Sequence, residues 1–261
     1  MREEFIAPVW RVEIGSLTFQ RVFSIEVKTG LEMVDWATVS FDPRVEERGP
    51  FAPGTEAEVH LGYLEKGLWL VFAGKVAEVA WGEEACLHLR GHAEALRKTR
   101  LARTFIDATP QEIVAEGVAA AGINHMVLGR RRYVPRHHFV AQNLSVIELI
   151  RLVARTWGID WRWFCDPDGT FYFCSDEEAG RMLAPGYTLE YGVNIFELVP
   201  PDAGGRGRLT TVLLPFLRPA DRIRIEDKRY WRHTVTAAVE SVHHRLDGRL
   251  GGRTTLTWIP V

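Results

Sequence analysis

Nine histidines, three cysteines and 34 acidic residues are the side chains of this 261-residue sequence that could do chemistry, and their spacing decides which. His88 and His92 stand four apart, the interval that puts two imidazoles on one helix face and holds zinc there. Here Ala85–Arg90 reads as a strand and Gly91 intervenes, so the interval loses that meaning. His137-His138 and His243-His244 are adjacent pairs. Neighbours on a strand point to opposite faces, so neither pair chelates by itself, and surface or interface histidines are expected. No two cysteines have C-x-x-C spacing. A turn centred on Pro167-Asp168 or Asp168-Gly169 sets Cys165 against Thr170 or Tyr172 rather than Cys174, so buried reduced thiols are expected. The carboxylate pairs Glu46-Glu47, Glu83-Glu84 and Glu177-Glu178 fall in polar, loop-like contexts, whereas a general acid needs a low-polarity pocket. No G-x-S-x-G, H-E-x-x-H or dinucleotide fingerprint occurs. The residues argue against an enzyme and offer no catalytic, cofactor-binding or metal-ligating set.

Two basic or glycine-rich runs invite a binding role. Arg130-Arg131-Arg132, followed by Tyr133 and Arg136, has the composition of a nucleic-acid patch, but the formal net charge is -2, with 32 basic and 34 acidic residues. A solvated loop or subunit contact is the plainer reading, because phosphate binding usually needs a larger basic surface. Gly204-Gly205-Arg206-Gly207 lacks the following Lys-Ser/Thr and a helix to start, so it reads as a linker. With 46% hydrophobic and 25% charged residues the chain can build more than one core. No apolar run is long enough to span a bilayer and MREEFIAPVW lacks a secretory signal, so a soluble, cytosolic product is expected.

The elements that must position these residues are clearest between Gln142 and Cys174. Ser145 and Glu148 have capping-box spacing, and Val146, Leu149, Ile150, Val153 and Trp157 recur at helical intervals up to Gly158. Ile159, Trp161, Trp163 and Cys165 then alternate as a strand with Asp160, Arg162 and Phe164 on its other face. Asp166-Pro167-Asp168-Gly169 is a turn, and Thr170–Cys174 returns as the second strand. The shared face of Trp161 and Trp163 points to a core or subunit contact rather than a sugar site. Thr109-Pro110-Gln111-Glu112 starts a second helix, which Gly122 stops.

Around this middle block the period is two. Val9–Ile14, Leu17–Phe19, Phe23–Lys28, Trp36–Phe41, Thr55–Leu61, Leu68–Ala80 and Ala85–Arg90 read as strands before it. One or two strands in Tyr187–Leu198, then Leu209–Leu214, Asp221–Ile225, Trp231–Val242 and Thr254–Ile259, follow it. The expected class is α+β, mainly β: a β block over 1–99, an α+β domain with two helices and a hairpin over 100–182, and a second β block over 183–261, the flanking blocks being possible copies of one barrel.

The order of these segments resembles the baseplate hub proteins of contractile-tailed phages, the group of late control protein D and the Mu-type tail protein, which shares its fold with the hub part of type VI secretion spikes. The likeness rests on Phe72–Val76 running on to Leu89–Leu96, on Thr104–Ile113, on Gln142–Ser145 with its helix and hairpin ending DGTFYF, and on Leu217–Ile225, Val235–His243 and Thr255–Trp258. It implies a tail-tube-like β-barrel split across the two ends of the chain, with barrel domains formed by both ends flanking the central α+β domain. Three subunits would form a homotrimeric ring that joins the tail tube protein to a separate spike protein in the virion, with tape-measure protein or DNA passing through a lumen that is not strongly basic. Ala220 stands where the group usually has Gly before Asp, which leaves that turn open, and with no oligonucleotide-fold, lysozyme or peptidoglycan-binding module trailing Val261, any spike or cell-wall-cleaving activity is expected to belong to a separate protein. A tail-associated cell-wall hydrolase and a nucleic-acid-binding module using Arg130–Arg132 are the alternatives.

Overall fold

Alternating β-branched and aromatic residues become strands here because every second side chain has a core to enter. The computed structural model describes residues 7–19, 22–43, 51–175, 177–179, 186–228, 233–247 and 251–261. The chain opens with β1 (Pro8–Ile14), β2 (Leu17–Phe19), β3 (Ser24–Gly30), β4 (Trp36–Phe41), β5 (Glu56–Tyr63), β6 (Gly67–Ala80) and β7 (Ala85–Gly91). Their inward residues, among them Val12, Ile25, Val39, Val59 and Leu87, form one buried core.

The middle of the chain holds α1 (Ala93–Lys98), β8 (Arg100–Ala108), α2 (Pro110–Ala120), β9 (Met126–Leu128), β10 (Arg136–Ser145), α3 (Val146–Trp157), β11 (Arg162–Cys165) and β12 (Phe171–Cys174). Both expected helices carry complete capping boxes, Thr109 with Glu112 and Ser145 with Glu148, and Gly158 closes α3 at φ +63°. A third, six-residue helix, α1, joins them. Helices α2 and α3 pack with Trp161, Trp163, Phe171 and Phe173 into a second core, so both tryptophans are buried. The connection before α3 is the ten-residue β10, antiparallel to β8.

The hairpin corrects the expected register. Asp166 N–H donates to Thr170 O and Gly169, at φ +85°, donates to Asp166 O, so the loop holds three residues and Cys165 pairs with Phe171. Cys174 pairs with Arg162, and all three cysteines are free. The Phe164 face is also buried: its ring stacks on Tyr172 at 4.6 Å, within a small cluster that includes Cys174, Ala179 and Ala220.

The chain ends with β13 (Tyr187–Glu190), β14 (Ile195–Val199), β15 (Gly207–Val212), β16 (Arg222–Asp227), β17 (His233–Asp247) and β18 (Gly251–Pro260), around a third core that includes Leu209, Ile223, Val242 and Trp258. Strand β17 joins the two ends. Its first half pairs with β16, its second half, Ser241–Asp247, pairs with β3, and β18 runs along its other edge with a bulge between Val239 and Ser241. The result is one 13-stranded sheet whose path runs from β14 to β2, with β13 and β16 alongside. Glu240, at the bulge, locks the three cores together. Its carboxylate lies 3.5 Å from Arg162 of β11 and 2.7 Å from Arg206, and its carbonyl accepts from Leu31 N–H. Among the described residues no helix is long and apolar enough to cross a membrane.

Candidate assembly surfaces

The histidines are dispersed over separate elements. His88 faces Thr38 and Glu78 across the ladder, while His92 precedes α1 and its Nε2 lies 3.3 Å from Pro167 O. His137 pairs with Asp107 at 2.8 Å on an exposed strand. His243 and His244 do point to opposite faces: His243 Nε2 lies 2.8 Å from Glu26, whereas His244 is buried with Nδ1 2.9 Å from Thr254 Oγ1. Burial first, and His243 second, push His244 down to about 3.

Where the three cores meet, Asp35 accepts Gly30 N–H at 3.1 Å, and burial, with the Asp166 charge adding to it, holds its carboxyl well above the usual range. Asp166 faces Arg218 at 3.5 Å. Burial, then Asp35 and Asp166, raise the Cys165 thiol, so it is no nucleophile. These groups lie between the cores, and Asp35, Asp166 and Cys165 are buried. Glu13, Glu58 and His60 were not foreseen as a group, because only the β1–β5 register brings them together. Their ligand atoms lie within 4.8 Å of one another, but Arg11 already neutralises Glu13 at 2.8 Å and His60 holds Glu58 at 3.1 Å.

The glycine loop cradles nothing. Asp202 accepts from the amides of Gly204 and Arg206 at 2.8 and 3.1 Å, its carbonyl takes Gly205 N–H at 2.9 Å, and Gly207 begins a strand. The Glu46-Glu47 pair lies outside the described residues. Glu83 and Glu84 sit in the exposed β6–β7 turn beside Trp81, and Glu178 accepts Arg130 N–H at 2.7 Å.

What remains exposed and chemically uncommitted is surface. An open cleft of about 690 Å³ separates β5–β7 from α1 and the β11–β12 turn, and both of its lysines are paired, Lys75 with Glu56 and Lys98 with Glu94. The β8–β10 ribbon packs Phe105 and Phe139 inward and leaves Ile106 and Val140 exposed on its outer face. Beyond β9 the Arg130–Val134 loop is held by its backbone. Gln111 Nε2 donates to Gly129 O and Arg131 O at 3.0 and 2.7 Å, and Trp157 Nε1 donates to Val134 O at 2.9 Å.

No protein-family profile matches the sequence, and no curated protein sequence matches it either. Solved structures do match. A tail protein from Neisseria meningitidis superposes with a TM-score of 0.79 over 97% of this chain and 96% of that one, at 13% identity. The 43 kDa tail protein of prophage MuSo2 from Shewanella oneidensis gives 0.75 over 97% of both chains, at 12% identity. The chain has the fold of phage tail proteins. An E. coli component of the type VI secretion system, which has structural similarity to the T4 bacteriophage tail proteins gp27 and gp5, shares this tail-protein fold with a TM-score of 0.65, over 96% of this chain and 76% of that one, at 13% identity.

Proposed function

We propose that the chain is a structural baseplate hub protein of a phage tail or a related contractile injection machine, with no enzymatic role. Three copies form a ring in the virion tail that joins the tail tube to a separate spike protein, and tape-measure protein or DNA passes through its lumen. The observation that carries this reading is the sharing of a tail-protein fold over 97% of the chain. Residues 1–99 and 183–261 supply tube-like barrel domains and 100–182 the domain between them. In support, the Tyr191–Ile195 bridge brings the start of β14 back beside the end of β13, the two outer strands of the third core's sheet. Among the described residues β2 ends the other side of the sheet path, and a sheet edge left open is costly in a monomer and useful in a closed ring.

Absolute mass across a concentration series, followed by imaging, tests the reading. Three copies of the 29.7 kDa chain weigh 89.1 kDa, and a threefold ring at that mass is the expected result. Monomers at every concentration, with tube protein present or absent, would overturn it. So would steady peptidoglycan turnover that is lost on changing a single acid.

A further inference from the structure

The Arg130–Val134 loop carries charge that nothing within the chain uses. Among the described residues, the guanidinium groups of Arg130, Arg131 and Arg132 form no ion pair, and Arg131 only lies over the Tyr133 ring at 5.2 Å. Val134 beside them is 82% exposed. The backbone is nevertheless fixed. Besides the Gln111 and Trp157 tethers, Glu178 accepts Arg130 N–H at 2.7 Å and Phe173 O accepts Gly129 N–H at 2.9 Å. A loop held this firmly loses little conformational freedom on binding, which is the economy of a docking surface.

The complement lies on another core of the same chain. At the end of β6 and in the β6–β7 turn, Glu78, Glu83 and Glu84 are exposed and form no ion pair among the described residues. Trp81 beside them is 46% exposed while its ring stays anchored 6.3 Å from Phe41 and 6.2 Å from Phe51. Three unpaired acids around an exposed aromatic match three unpaired arginines beside an exposed Val. We propose that the Arg130–Val134 loop of one copy docks on the Glu78–Glu84 turn of the next. Two different patches of one chain meeting head to tail make a heterologous interface, the kind that closes rings. The inference rests on the ring reading and names the contact that closes it.

Nucleic acid suits the loop less well. Binding through single strands draws on free aromatic faces, and Tyr133 is already committed, edge-on to Trp161 at 5.4 Å and under Arg131. The overall charge of -2 adds no attractive field.

The test is absolute mass against concentration, at low and high salt, for the natural chain and three variants. These are Arg130→Glu/Arg131→Glu/Arg132→Glu, Glu78→Arg/Glu83→Arg/Glu84→Arg, and the two sets combined. Thermal melts establish that each is folded, and Arg130→Ala/Arg132→Ala replaces the triple arginine variant if that one is not. Each reversal should raise the concentration of half-assembly by roughly tenfold or more, high salt should raise it for the natural chain, and the combined variant should recover most of the loss. Normal assembly of both reversed variants would overturn this pairing and leave the ring reading standing. A natural chain that never assembles, even with tube protein, would overturn both. Unchanged mass, together with salt-dependent binding of a short single-stranded oligonucleotide that the arginine variant loses, would overturn the pairing in favour of nucleic acid.

Discussion

Ala220 shows how one side chain can hold a compromise. It sits at φ +69°, a conformation that glycine adopts freely and that costs other residues ~1–2 kcal/mol. Its amide donates to Val239 O at 2.9 Å, and the turn is fastened by Asp221 Oδ2 accepting Arg218 N–H at 2.8 Å. Its methyl is buried in the cluster with Phe164, Cys174 and Ala179. Glycine would relieve the backbone but forfeit the methyl, a burial of ~0.8 kcal/mol, and would enlarge the freedom of the unfolded chain. The two sides nearly cancel, so Ala220→Gly should shift urea-unfolding stability by less than ~1 kcal/mol, whereas Ala220→Val, β-branched at positive φ, should cost ~2 kcal/mol or more. The turn left open by the missing glycine is thus the glycine-type turn, made by alanine.

At the scale of elements, α3 was legible and β8 was not, for physical reasons. The start of α3 is local chemistry: Ser145 Oγ accepts Glu148 N–H at 3.3 Å, and Glu148 Oε2 accepts Ser145 N–H at 2.7 Å. Ser145→Ala should lower stability by ~1 kcal/mol in urea unfolding without melting the helix, because Val146, Leu149, Ile150 and Val153 stay buried. A loss below ~0.3 kcal/mol would mean that packing alone sets the helix start. Strand β8 has no such sign. Of its nine residues only Phe105 is fully buried, so its sequence carries no alternation, and its partner β10 lies beyond α2. Helix α1 is six residues long and lacks a side-chain cap, and β9 has three residues whose ladder partner is the distant β12.

At the scale of the molecule, the β, α+β, β order is readable in the residue pattern, whereas the joining of the two ends is implied only by the resemblance. The β3–β17 ladder pairs Ser24–Gly30 with Ser241–Asp247, and no local pattern reports a partner so far along the chain. The candidate surface was half legible: the arginine run is visible as a string of letters, while its tethers to Gln111, Trp157 and Glu178 come from separate elements. His244 lies on the same shared strand, and its burial sets the response to acid. Its folded value of about 3 lies below the ordinary 6.5, so the stability it contributes is present above pH 6.5 and is lost as pH falls toward 3. The limit of that loss is ~5 kcal/mol. Thermal melts from pH 7 to pH 4 should decline more steeply for the natural chain than for His244→Asn, and parallel curves would show that other groups control acid unfolding.

Strand β17 also imposes an order on synthesis. One edge of β3 binds β4 early, but the other stays open until Ser241–Asp247 have left the ribosome. A nascent chain therefore carries an unfinished sheet through most of its translation: the first and third cores wait for its end, while the second, buried between Ala93 and Phe173, needs nothing from β17.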